Sequence, residues 1–91
     1  MQRRKAMEYL VTAFRSRTDT VRFYEFLRRN GINSQIINTP KQAGVGCGLS
    51  VKTATGALES IKKAIRFTAL SSFAGVFLVK KAYGNVIVKS I

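Results

Sequence analysis

The stretch Glu8–Phe14, EYLVTAF, followed at once by Ser16–Gly31, SRTDTVRFYEFLRRNG, decides how this chain folds. The first run is short and apolar on both faces, which reads as a central strand. In the second, Val21, Phe23, Tyr24 and Leu27 gather on one side at helical spacing, while Arg22, Glu25, Arg28 and Arg29 face elsewhere. Ser16-Arg17-Thr18-Asp19 supplies the N-cap, with Thr18 or Asp19 preferred because their oxygens accept orphan amide protons. Asn30-Gly31 closes the helix with a left-handed cap.

Working outward, Ser34–Asn38 (SQIIN) is a second short strand, stopped by Thr39-Pro40. Residues 42–48 hold three glycines, Gly44, Gly46 and Gly48, and no periodicity, so they form a loop. Leu49–Thr53 alternates as a third strand should. A second helix starts at Thr55-Gly56 with Leu58, Ile61, Ala64 and Ile65 inward and Lys62, Lys63 and Arg66 outward. It ends between Phe67 and Ser72. Val76–Lys80 is a fourth strand, Tyr83-Gly84-Asn85 a turn with Gly84-Asn85 as its hairpin signal, and Val86–Val88 a short closing strand. Two β-α-β units on one sheet, with the helices packed on a single face, predict an α+β ferredoxin-like βαββαβ sandwich with a short extra C-terminal strand. Residues 1–6 read as a basic mobile arm and 7–91 as a single domain.

Charge and inventory exclude more than they permit. The chain has 91 residues, with 16 Lys plus Arg against 4 Asp plus Glu and no His, for a net charge of +12. Such an excess favours anionic partners: nucleic acid, acidic protein faces or anionic lipid. One Cys, no His and only Glu8, Asp19, Glu25 and Glu59 as acids cannot assemble a convincing transition-metal site, and a histidine-based triad is impossible. No cofactor and no metal are expected. The basic start is not followed by a signal-peptide core. The longest uncharged apolar stretch, Phe67–Val79, is too short to span a bilayer. The chain reads as soluble and cytoplasmic, without a membrane partner, and Cys47 as a free thiol in a reducing compartment.

Cys47 is the one strongly nucleophilic side chain that works without histidine. Gly46 and Gly48 on either side remove side-chain cover, which makes the thiol reachable by a second protein. Lys41 and Lys52 are close in sequence, and cations favour the reactive thiolate. The competing reading is a small buried hydrophobe at the start of the third strand. A lone cysteine cannot run a hydrolytic cycle, but it can hold sulfur or selenium as a persulfide or selenosulfide. Thr39-Pro40-Lys41, five further residues, then Cys47-Gly48-Leu49-Ser50 resembles the signature of the selenium/sulfur carrier-like family of small bacterial proteins. The strand at Glu8–Phe14, the helix ending in Asn30-Gly31-Ile32 and the strand leading into Thr39-Pro40 resemble that family too. The resemblance covers Met7–Leu58 well and the remainder loosely. It implies that Cys47 accepts sulfur or selenium and passes it on. The carrier loop is then Thr39, Pro40, Lys41, Gly46, Gly48 and Leu49, the donor a protein such as a cysteine desulfurase, and the acceptor a protein the sequence does not identify. Such a protein is a non-catalytic carrier or sulfurtransferase-like protein rather than a classical enzyme.

The alternative is a small basic RNA- or DNA-binding protein, whose cations neutralise phosphates and whose exposed sheet aromatics stack bases. Phe73-Ala74-Gly75-Val76-Phe77 is superficially like the aromatic strand of RNA-recognition modules. It lacks their basic-Gly-aromatic order and a paired aromatic strand, so Phe67, Phe73 and Phe77 are expected to fill the core or a dimer contact, the core first. Nucleic-acid binding is expected to be weak, non-specific and lost near physiological salt. Gly44-x-Gly46-x-Gly48 fits neither nucleotide-binding fingerprint and precedes a strand, not a helix. A third reading is a structural or assembly module: the apolar 67–79 stretch and an edge strand at 86–88 leave homo-oligomer formation by sheet extension open, compatible with either function.

Overall fold

The computed structural model describes residues 7–45 and 47–91; the stretch 1–6 read as a basic arm, and Gly46 of the expected carrier loop, lie outside the described residues. In chain order come β1 (Met7–Phe14), α1 (Arg17–Arg29), β2 (Gln35–Asn38), β3 (Leu49–Thr53), α2 (Leu58–Thr68), β4 (Phe73–Ala82) and β5 (Asn85–Ser90). Single 3-10 turns occupy Lys41–Ala43 and Thr55–Ala57. The sheet order is β2-β3-β1-β4-β5, and every neighbouring pair is antiparallel. Each helix therefore joins two parallel strands with a third between them: α1 joins β1 to β2 around β3, and α2 joins β3 to β4 around β1. This is the ferredoxin-like α+β arrangement with one strand added at the C-terminal edge.

Strand alternation divides the core in two. On the helix side, Phe14, Val51 and Val76 from the sheet meet Phe23 and Leu27 of α1 and Ile61 and Ala64 of α2. On the opposite side, Tyr9, Val11, Ala13, Phe77 and Val79 form a second cluster, against which Ala43, Val45 and Val88 pack. Among the described residues, neither α1 nor α2 contributes to that second cluster. The glycine-rich connection between β2 and β3 does the covering instead, because its two apolar residues have nowhere else to escape water.

Several boundaries differ from the sequence reading, each for a local reason. The N-cap is Ser16, not Thr18 or Asp19: Ser16 is extended (φ −109°, ψ 131°) and its Oγ accepts the Asp19 N–H at 3.2 Å. Asp19 turns outward from the helix, and its carboxylate accepts from both the N–H (3.1 Å) and Oγ–H (2.6 Å) of Ser72. That ties the start of α1 to the approach of β4. The helix end is as expected, with Ile32 N–H donating to the Leu27 carbonyl at 2.9 Å around Gly31. β2 begins at Gln35 rather than Ser34, and the second helix proper begins at Leu58 after one 3-10 turn. β4 is twice the expected length because it pairs along the whole of β1, from Met7 opposite Lys81 to Phe14 opposite Phe73. β5 extends to match. The hairpin turns on Tyr83-Gly84, both at positive φ (53° and 81°), with Asn85 already paired to Ala82. A two-residue turn of that hand suits the strand twist. Of the three aromatics expected inside, Phe77 is buried, Phe73 lies at the boundary of exposure, and Phe67 is 78% exposed.

Between Ala13 and Phe14 the register shifts, leaving Ala74 as an extra residue in β4 and Gly75 at φ 152° opposite Ala13. A Cβ on Gly75 would stand 3.2 Å from Cζ of the buried Phe77 ring. Gly75→Ala is therefore expected to destabilise the fold by about 1–3 kcal/mol, through backbone strain and overpacking together. Thermal unfolding followed by circular dichroism checks this; a midpoint equal to wild type would show that the bulge accepts a side chain.

Candidate functional site

The connection from β2 to β3 is held at three points. At its neck, Thr39 N–H donates to the Gly48 carbonyl at 2.9 Å, and the Thr39 and Ser50 hydroxyls share a hydrogen bond of 2.6 Å. In the middle, Pro40 leads into the Lys41–Ala43 turn, where Ala43 N–H returns to the Pro40 carbonyl at 3.0 Å. Ala43 and Val45 then anchor in the second apolar cluster. At the far end, Cys47 N–H donates to the Phe14 carbonyl at 3.0 Å. The loop that carries the cysteine is thus fastened to the last residue of the central strand. Gly48 follows at φ 98°, a conformation that admits glycine far more readily than a residue with a Cβ.

Cys47 is exposed and free. Its Sγ lies 3.7 Å from the Thr20 hydroxyl and 3.7 Å from the Leu49 carbonyl, both at the outer limit for a sulfur hydrogen bond. Thr20 is fully buried in the first turns of α1, and its Oγ1 also reaches the carbonyls of Ser16 (3.1 Å) and Leu49 (3.4 Å). The sulfur therefore rests beside the positive end of the α1 dipole, with one side open to solvent. Exposure at this corner disagrees with the buried-hydrophobe reading.

Of the residues expected to form the loop with Cys47, Thr39, Pro40, Lys41 and Gly48 line a shallow hollow of about 260 Å³ with Gly44 and Val45, and Cys47 itself is not among that lining. Leu49 acts through its carbonyl, while its side chain is half-buried. Lys52 does not join them: its Nζ sits 4.4 Å over the Tyr9 ring, with Lys81 Nζ at 5.7 Å from the same ring. Thr20 was not anticipated. Its signal was present, a polar residue three and seven positions before Phe23 and Leu27 on the inward face of α1, yet nothing local says which loop returns to it.

The open face of the sheet presents little to a nucleobase. Tyr9 and Phe77 are each 7% exposed, so neither ring is free for stacking. Among the described residues, no cluster of three or more His, Cys, Asp or Glu side chains is placed to hold a metal ion, and no helix is long and apolar enough to cross a membrane.

Because its contacts are few and its side chain exposed, Cys47→Ser is expected to change stability by no more than ~0.5 kcal/mol, and Cys47 is expected to alkylate at neutral pH without denaturant. Thermal melts of the variant and iodoacetamide labelling of the native protein check the pair. A loss of several kcal/mol, or labelling only in denaturant, would mean a packed thiol.

A family model described as Putative Se/S carrier protein-like matches residues 8–70, from β1 through the Cys47 loop to just beyond α2. No curated protein and no solved structure matches the chain.

Proposed function

Because the chain belongs to the Se/S carrier protein-like family, we propose that it carries one sulfur or selenium atom on Cys47 as a persulfide or selenosulfide and passes it to a partner protein. The observation that carries this reading is the exposed Cys47 thiol, on a loop pinned to Phe14, inside the family-matched region. The chemistry needs no histidine, metal or oxidant. The Cys47 thiolate attacks the outer sulfur of a donor persulfide, the donor's S–S bond breaks, and the donor leaves as a thiolate. On delivery, an acceptor nucleophile attacks the outer atom on Cys47, and Cys47 leaves as the thiolate. Each step exchanges one bond to the transferred atom for another, so no net electrons are needed.

A cysteine desulfurase fits the donor role, since it presents sulfur as a persulfide. The carrier unit in this reading is residues 7–91, working in the cytoplasm, and the +12 charge draws in acidic protein faces. Thr20 is a positioning residue: its hydroxyl and the Leu49 carbonyl hold Sγ at the open corner. The test is intact mass spectrometry after incubation with a cysteine desulfurase and cysteine, comparing wild type with Cys47→Ser.

A further inference from the structure

A second surface, independent of what Cys47 carries, lies on the outer side of the helix layer. There α1 and α2 enclose an open groove of about 370 Å³ with Phe26, Ile32, Ala64 and Phe67 among its lining and Lys63 on its margin. Phe67 is the informative residue. It is 78% exposed, yet its ring is stacked on Phe26 at 5.5 Å and 25°, which holds an aromatic wall upright along one side of an apolar trough.

The margin is basic. Arg22 and Arg29, four before and three after Phe26, share its side of α1, and Lys63, four before Phe67, shares its side of α2. All three are exposed, and neither ion pair found among the described residues, Lys62–Glu59 or Lys80–Glu8, engages them. Across α1 and α2 seven basic residues face three acidic ones. Of those acids, Asp19 is taken by Ser72 and Glu59 by Lys62, which leaves Glu25.

We infer that this groove docks an amphipathic, acidic helical segment of a partner protein. A trough between two helices receives a row of side chains at i, i+3 or i+4 and i+7; a flat bilayer surface does not offer such a ridge. Acidic residues flanking the partner's apolar row would meet Arg22, Arg29 and Lys63. A second copy of the chain is the wrong occupant electrostatically, because it would bring one basic helix layer against another.

The test is fluorescence anisotropy with the full chain and a labelled synthetic Leu/Glu amphipathic helix. A Leu/Lys helix of the same pattern and a Glu-rich peptide without an apolar stripe serve as controls. The Leu/Glu helix is expected to bind, and both controls to bind far more weakly. Phe67→Ala should weaken binding by roughly tenfold or more, as truncation of an aromatic anchor does. Phe67→Leu should weaken it less, and Lys63→Glu should weaken it while flattening its salt dependence. Cys47→Ser should leave it unchanged, which separates this inference from the carrier reading. Equal binding of the Glu-rich peptide, or Phe67→Ala binding like wild type with an unaltered circular dichroism spectrum, would overturn it. So would Phe67-dependent dimers in sedimentation, or Phe67-dependent binding to phosphatidylglycerol vesicles without binding to the Leu/Glu helix.

Discussion

Incubated with a cysteine desulfurase and cysteine, the wild-type chain is expected to gain the mass of one sulfur atom, and Cys47→Ser to gain none. The effect should be complete rather than graded. Cys47 is the only thiol in the sequence, so its loss leaves no second sulfur nucleophile, and serine neither attacks a persulfide comparably nor holds sulfur as a stable adduct. The added sulfur should disappear on treatment with excess dithiothreitol, since a persulfide is a reversible cap on the thiol. Folding does not confound the comparison, because the Cys47 side chain is exposed and its backbone N–H, which binds the Phe14 carbonyl, is kept in serine. A selenium donor in place of the desulfurase extends the same measurement to selenium. Equal sulfur gain in both proteins would put the atom elsewhere. No gain in wild type from a desulfurase shown to be competent, and none from the selenium donor, would remove the carrier reading while leaving the groove between the helices to its own test.

How much of this was legible in the sequence depends on the range of the interaction. β1, α1 and β3 are set by local pattern: EYLVTAF is apolar on both sides, Phe23 and Leu27 recur at helical spacing, and LSVKT alternates, so both strands and the end of α1 agree with the structure to within a residue or so, while α1 starts two to three residues earlier than a cap at Thr18 or Asp19 implies. β4 extends beyond Val76–Lys80 at both ends because β1 pairs with it along its whole length, and that pairing is long-range. The sequence alone favours Thr18 or Asp19 as N-cap because Ser16, Thr18 and Asp19 are all chemically competent. What decides for Ser16 is that Ser72, distant in sequence, binds the Asp19 carboxylate. For the site, the exposure of Cys47 was readable from its glycine-rich setting, and Thr39, Pro40, Lys41 and Gly48 line one hollow that does not include Cys47. Thr20 was not readable, since its place under Cys47 exists only once β3 runs beside β1. Nor was the role of Ala43 and Val45. Two apolar residues in a glycine-rich loop look incidental until the bare face of the sheet is seen to need them. Phe67 failed in the opposite direction: its spacing continues the inward face of α2 loosely, but α1 lies to one side and leaves the ring outside.

Phe14→Ala is expected to cost about 3–5 kcal/mol of stability, the usual range for truncating a buried phenylalanine. Phe14 is 1% exposed and sits at the upper end of β1, with its ring 5.1 Å from that of Phe23 and 5.9 Å from that of Phe73. Removing it therefore forfeits two aromatic contacts as well as buried area, and aromatic pairs contribute beyond their area. A chain of this size commonly has only about 5–15 kcal/mol in total, so the variant should be marginal. Its midpoint should fall by roughly 12 °C or more at ~4–8 °C per kcal/mol. Phe14→Leu, which keeps most of the volume, should lose substantially less, and the difference between the two variants measures the cavity rather than the chemistry. The same substitution bears on the site. The Phe14 carbonyl holds the Cys47 N–H, and its ring helps fix where the end of β1 lies relative to α1. In Phe14→Leu, which remains folded, Cys47 should alkylate at close to the wild-type rate, because the anchoring group is backbone. In Phe14→Ala the loop should loosen as the strand end does, and protection of the Cys47 amide from hydrogen exchange should fall before the sheet as a whole unfolds. A Phe14→Ala protein losing less than ~1 kcal/mol would contradict the packing described at this end of the sheet. Unchanged exchange at Cys47 in that variant would show that the loop is held by Thr39, Ser50, Ala43 and Val45 without help from the Phe14 ring.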